Sequence, residues 1–140
     1  MERFTPPLGA EASVTLQVSC GDTALAVHSG GLQVLATPRM VALMEEAAVA
    51  ALAPHLPAGW QTVGTRLDVR HTAATPLGGW VTATARLVEV DRARTVFAVT
   101  ASDQAGPIGA GLHERFLVES EAFMARAAAR RDVDAATGPR

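Results

Sequence analysis

Three polar side chains stand where the surrounding pattern asks for apolar ones: Thr37, Glu45 and His71. Glu45 falls inside "TPRMVALMEEAAVAAL", one helical turn after Val41 and two turns before Leu52, so it shares their face. Its neighbour Glu46 points about 100° away and reaches solvent more easily. A carboxylate among apolar groups is costly unless it is paired or protonated. His71 closes "RLDVRH" on the same side as Leu67 and Val69, the side that should be packed. Thr37 opens the helical run, where a hydroxyl ordinarily serves as an N-cap. Each residue has an ordinary explanation: a solvated glutamate, a satisfied core histidine, a capping threonine. Jointly, an acid, an imidazole and a hydroxyl at element ends or on a packed face are the parts of a hydrolytic site. The imidazole can act as a base, the carboxylate can orient it or activate water, and the hydroxyl can bridge them. If the helix is regular from its start, Thr37 and Glu45 lie about 12 Å apart along its axis. They can then converge only around a substrate or across two subunits.

The elements that must position these groups follow from periodicity. "ASVTLQVSC" (12–20) alternates and is rich in β-branched residues, which predicts a strand. Thr37 and Pro38 suit a helix start, strong helix formers continue to Ala53, and Pro54 and Pro57 stop the run. That helix has an apolar stripe of Val41, Met44, Ala48, Ala51 and Leu52. It is nearly apolar elsewhere too, and so calls for wrapping on most sides. "WQTVGTRLDVRHT" (60–72) alternates, with Val63, Thr65, Leu67, Val69 and His71 on one side and Arg66, Asp68 and Arg70 on the other. Residues 78–91, 94–103 and 106–120 complete an antiparallel meander with short turns. "EAFMARAAARRD" predicts a short terminal helix. Residues 1–11 read as a loose lead-in and 133–140 as a frayed tail, with no linker or repeat dividing the single domain, 1–140. The sum is an α+β arrangement, an antiparallel sheet wrapped round one long helix. Two copies paired edge to edge would cover what one sheet leaves bare, which predicts a homodimer.

Composition narrows the functional classes. The chain has 140 residues, 49% of them hydrophobic, and a formal net charge of -2, so it suits a globular domain with a substantial core and offers no general attraction to nucleic acid. All its basic residues are arginine, and its one cysteine, Cys20, reads as a small residue packed in a strand. No apolar run is long enough to span a bilayer and no signal-peptide core is evident, so a cytoplasmic protein without membrane contact is expected. No metal-ligand cluster is visible and no cofactor is called for.

The segments "TPRMVALMEEAAVAALAPHL", "VGTRLDVRHTAATPLGG" and "IGAGLHERFLV" resemble, in order and with matching spacing from about residue 37 to 125, the fluoroacetyl-CoA thioesterase branch of the hotdog-fold thioesterases. "HTAATP" and "GAGLHER" are the most specific parts. The resemblance implies the hotdog fold, a homodimer with sites at the interface and possible further pairing to a tetramer, and cleavage of an acyl-CoA thioester to a carboxylate and free CoA. It places the catalytic residues on Thr37, Glu45 and His71. It places the glycine whose N–H holds the thioester carbonyl on Gly64, and an arginine near the acyl pocket on Arg115. The family's lid phenylalanines have no counterpart in "HSGGLQVLAT", where Gly31 stands in place of a gating aromatic, so a wider or differently gated acyl pocket is expected. Arg39 and Arg70 are candidates for pairing with CoA phosphates. Two rival readings are a non-catalytic acyl-CoA or small-ligand binding dimer, and an enoyl-CoA hydratase or dehydratase on a related fold.

Overall fold

The computed structural model describes residues 4–137, with side chains as far as Asp132. Strand β1 (Glu11–Gln17) is followed by a 3-10 turn at Cys20–Asp22, helix α1 (Thr37–Leu52), a second 3-10 turn at Ala53–His55, strands β2 (Trp60–His71), β3 (Trp80–Asp91), β4 (Arg94–Asp103) and β5 (Gly106–Glu119), and helix α2 (Ser120–Thr137). The strands form one five-stranded sheet in the order β1-β3-β4-β5-β2, antiparallel throughout. The meander from β3 to β5 pairs in sequence order, while β1 and β2 occupy the two edges because α1 crosses between them.

One side of α1 packs on this sheet. Met40, Leu43, Met44, Ala47, Ala48, Ala51 and Leu52 are buried and meet Val81, Ala83, Ala85 and Leu87 of β3 and Phe97, Val99 and Ala101 of β4. Small residues on α1 and β3 let helix and sheet approach closely. Full burial of each larger side chain contributes about 1.5–3 kcal/mol. The buried stripe is rotated from the expected one, since Val41 is only half-buried while Met40 and Leu43 are fully enclosed. The helix is also not wrapped all round: Ala42, Val49 and Ala50 are exposed, and Glu45 lies on this open flank.

The strand and helix limits differ from the expected ones where local chemistry intervenes. β1 ends at Gln17, and Cys20 sits exposed in the 3-10 turn rather than packed in a strand. The turn is fixed by Asp22, whose carboxylate accepts from the Ser19 N–H and hydroxyl, each at 2.8 Å, and from Arg39 Nε at 2.9 Å. Burial raises the Asp22 pKa, but these bonds outweigh it and hold it below the ordinary value. From Phe4 on, the lead-in is anchored, with Phe4 and Pro6 buried; residues 1–3 lie outside the described part. α2 continues to Thr137, past the point where fraying was expected; residues 138–140 lie outside the described part. No helix among the described residues is long and apolar enough to cross a membrane.

β2 departs from strict alternation. Its pairing with β5 shifts between Gly64 and Arg66, leaving Thr65 as an extra residue in a bulge. Before the bulge Thr62 and Gly64 oppose Leu117 and Arg115; after it Leu67, Val69 and His71 oppose His113, Gly111 and Gly109. All of these face the helix. Val63 therefore does not share a side with Leu67, as unbroken alternation would have it, and Gly64 comes inward in its place.

Candidate active site

Thr37 is the first residue of α1, and Ala36 is the N-cap, with no side chain bonding to the helix end. The Thr37 hydroxyl is thus free of the capping role expected for it. It lies 2.7 Å from His71 Nδ1, joining the start of α1 to the end of β2. The other ring nitrogen, His71 Nε2, is buried without a hydrogen-bond partner among the described residues. A buried nitrogen left unpaired costs stability unless something binds it. The pair borders a cavity of about 310 Å3 lined by Ala24, Ser29, Val34, Leu35, Thr72, Ala73 and Ala74.

The "HTAATP" segment builds the wall of this cavity. Thr75 is buried and donates to Asp103 Oδ2 at 2.7 Å, tying the segment to the β4–β5 turn and holding the Asp103 carboxyl below its ordinary pKa. Leu35 N–H donates to Thr75 O at 2.8 Å, and Val34 bridges to Pro76. Residues 23–36 are thereby strapped over the Thr37–His71 pair. The apolar side chains Leu25, Val27 and Leu32 of this strap are exposed, Leu32 by 71%.

Glu45 belongs to a second cluster. Its Oε2 lies 3.6 Å from Arg115 Nη1. A Cβ built on Gly64 would stand 2.8 Å from Glu45 Oε2, 3.2 Å from His113 Cε1 and 3.4 Å from Arg115 Nη1. Only glycine leaves room there. Arg115 has a side chain just 7% exposed, and burial lowers its pKa against the opposing pull of Glu45. Its guanidinium is turned to Glu45 and Thr62. His113, fully buried beside it, played no part in the sequence expectations. Alternation along β5 sets His113 and Arg115 on one inward face, which is the signal that could have marked it.

Within the chain, then, the five expected residues form two groups: Thr37 with His71, and Glu45 with Gly64 and Arg115. α1 is regular from Thr37 onward, so the separation of about 12 Å along its axis stands. Arg39 is committed to Asp22, while Arg70 is exposed. A larger cavity, about 700 Å3, lies elsewhere, between Phe4, Pro6, Trp60, Val90, Arg92 and Leu117, and none of the five residues lines it.

Solved hotdog proteins superpose on this fold. A hot-dog-like protein from Thermanaerovibrio acidaminovorans is 30% identical and superposes with a TM-score of 0.81, over 96% of this chain and 95% of its own. The structure of a variant of the fluoroacetyl-CoA thioesterase FlK in complex with acetyl-CoA is 35% identical, with a TM-score of 0.85 over 89% of this chain and 98% of that one. The fold is that of the hotdog thioesterases, and the chain is a thioester hydrolase of that class. The family model for fluoroacetyl-CoA-specific thioesterase matches residues 18–121, and the curated fluoroacetyl-CoA thioesterase of Streptantibioticus cattleyicolor is 47% identical over 94 residues, 67% of this chain and 68% of that protein. The chain belongs to the fluoroacetyl-CoA-specific thioesterase family.

Proposed function

We propose that this chain hydrolyses a small or medium acyl-CoA thioester to a carboxylate and free CoA, as a homodimer whose sites each draw on both subunits. The observation that carries this reading is the Thr37–His71 bond of 2.7 Å, made by a helix-start hydroxyl that caps nothing and a histidine whose Nε2 is buried and unpaired. The edge strand β2 supports the dimer. It is long, it has no partner on one side, and Leu67 on its inner face and Val49 on the adjoining flank of α1 are 40% and 41% exposed. In a two-fold antiparallel pairing of β2 with itself, the Gly64 half of one strand lies beside the His71 half of the other. The two clusters of one protomer then become the halves of two composite sites.

In this mechanism the Gly64 N–H polarises the thioester carbonyl and steadies the oxyanion that forms. Glu45 activates water for attack on the carbonyl carbon, or attacks it directly to form an anhydride that water then opens. The C–S bond breaks, the sulfur leaves as thiolate, and His71, bonded to Thr37, moves the proton that neutralises it. A thiolate leaves readily, so no metal or cofactor takes part. CoA phosphates pair with arginines near the subunit boundary, Arg70 among them. The proposed gating differs from that of a lid closed by aromatics, since the strap carries no phenylalanine and has Gly31 exposed in it.

The test is release of free thiol from a panel of acyl-CoAs of increasing chain length, fluoroacetyl-CoA included. Glu45→Ala and His71→Ala are expected to reduce turnover by at least about 100-fold while the dimer persists by light scattering. Full activity in either variant defeats the mechanism. Ligand binding without thiol release by the wild type favours the binding-dimer reading, and hydration of an enoyl-CoA without thiol release favours the hydratase.

A further inference from the structure

The Arg115 guanidinium is held on three sides. Its Nε donates to Thr62 Oγ1 at 3.0 Å, its Nη2 to the Thr62 carbonyl at 2.9 Å, and its Nη1 to His113 Nε2 at 3.2 Å. The one direction left to Nη1 is Glu45, at 3.6 Å. A guanidinium only donates, so His113 Nε2 must present a lone pair. The proton then sits on Nδ1, which donates to the Arg66 carbonyl at 2.9 Å. Burial lowers the pKa of His113, with the Arg115 charge adding to that effect and the Arg66 carbonyl, Glu45 and Glu114 opposing it, so the neutral ring is favoured. A buried arginine satisfied in this way costs more desolvation than an apolar pair of the same volume. The fold nevertheless keeps it, and keeps Gly64 bare so that it fits.

We propose that Thr62 and His113 are positioning residues: they hold the Arg115 guanidinium in one orientation, and through it fix the Glu45 carboxylate that acts on the thioester. The bulge at Thr65 is part of the device. It turns Thr62 and Gly64 to the same face as His113, and it sets the Arg66 carbonyl against the imidazole. This role rests on the hydrolysis proposed above.

The experiment compares paired variants. His113→Phe fills the same space without polar atoms, whereas His113→Gln retains an acceptor and a donor. Thr62→Val removes only the hydroxyl, and Thr62→Ser restores it. His113→Phe and Thr62→Val are expected to lower kcat by about 10–100-fold with KM changed less than about 3-fold, and the Gln and Ser variants to recover most of that loss. Should His113→Phe fail to fold, the Thr62 pair decides the matter alone. In wild-type protein at pH 7, two-bond 1H–15N spectra should show His113 as the neutral Nδ1–H tautomer. A charged ring, an Nε2–H tautomer, or wild-type kcat in Thr62→Val overturns the positioning role while leaving thioester hydrolysis intact. A wild type that releases no thiol from any acyl-CoA overturns the hydrolysis itself, whatever the spectra show.

Discussion

At the scale of single residues, the site is made of side chains released from ordinary duties. Thr37 could have capped α1, but Ala36 takes the cap position and the hydroxyl goes to His71. Glu45 stays partly solvated on the flank of the helix, with its carboxylate 3.6 Å from the Arg115 guanidinium. His113 carries a consequence for stability. Its folded pKa lies below the ordinary 6.5, so between that value and the folded one the unfolded chain binds the extra proton. Stability is therefore full above about pH 6.5 and falls as the pH drops through this window. The melting temperature of the wild type should decline more steeply from pH 7 to pH 5 than that of His113→Gln, which has no ring to protonate. Parallel declines would place the titrating group elsewhere.

At the scale of elements, β5 and β2 are fitted to each other by glycines. A Cβ on Gly111 would stand 2.1 Å from the Asp68 carbonyl and 2.6 Å from Val69 Cα, and one on Gly109 would press on the Arg70 carbonyl and on Met40 Sδ, each at 2.7 Å. Backbone cannot yield as a flexible side chain can. Gly111→Ala should cost about 2–4 kcal/mol in urea unfolding, from overpacking against a strand. A loss below about 0.5 kcal/mol would show that β2 can move outward freely. Because β2 carries both Gly64 and His71, the same substitution should disturb both halves of the proposed site. Outside the helix-facing side the sheet is tied by polar groups, with Arg94 bonded to Glu114 and Glu89 and Thr65 bonded to Glu114 at 2.9 Å. These bonds hold the Glu114 carboxyl below its ordinary pKa, the Arg94 bond most.

At the scale of the whole molecule, the proposed mechanism joins two clusters in one reaction. If each site joins Glu45 of one subunit to His71 of the other, two inactive variants can repair each other. A mixed dimer of Glu45→Ala and His71→Ala chains holds one site with both residues intact and one with neither. Denaturing and refolding the two proteins together should restore about a quarter of wild-type activity, since random pairing makes half of the dimers mixed. No recovery, with mixed dimers shown by mass spectrometry, would mean that Glu45 and His71 of the same chain work together. The strap over residues 23–36 also belongs to this scale: Leu25, Val27 and Leu32 are exposed in one protomer and free to meet a second copy or an acyl group.

Residue types and periodicity alone carried the α+β class, the long helix, the four strands that follow it and the candidacy of Thr37, Glu45 and His71, because alternation and helix-forming runs are local properties of a chain. The family resemblance carried Gly64 and Arg115 and the hotdog label. Tertiary structure decided the rest. Periodicity predicts an unbroken alternation through residue 65, since a bulge is created by the partner strand and leaves little trace in the strand that bears it. The orientation of α1 turned on which small side chains of β3 it met, so Met40 and Leu43 entered the core while Val41 did not fully enter. Cys20 became a turn residue because Asp22 found Ser19 and Arg39. The bonds between Thr62 and Arg115 and between the Arg66 carbonyl and His113 join β2 to β5 across about fifty positions of sequence, and only pairing of the strands brings them together. Local pattern says which residues face inward; what they meet there is set by contacts distant in the chain.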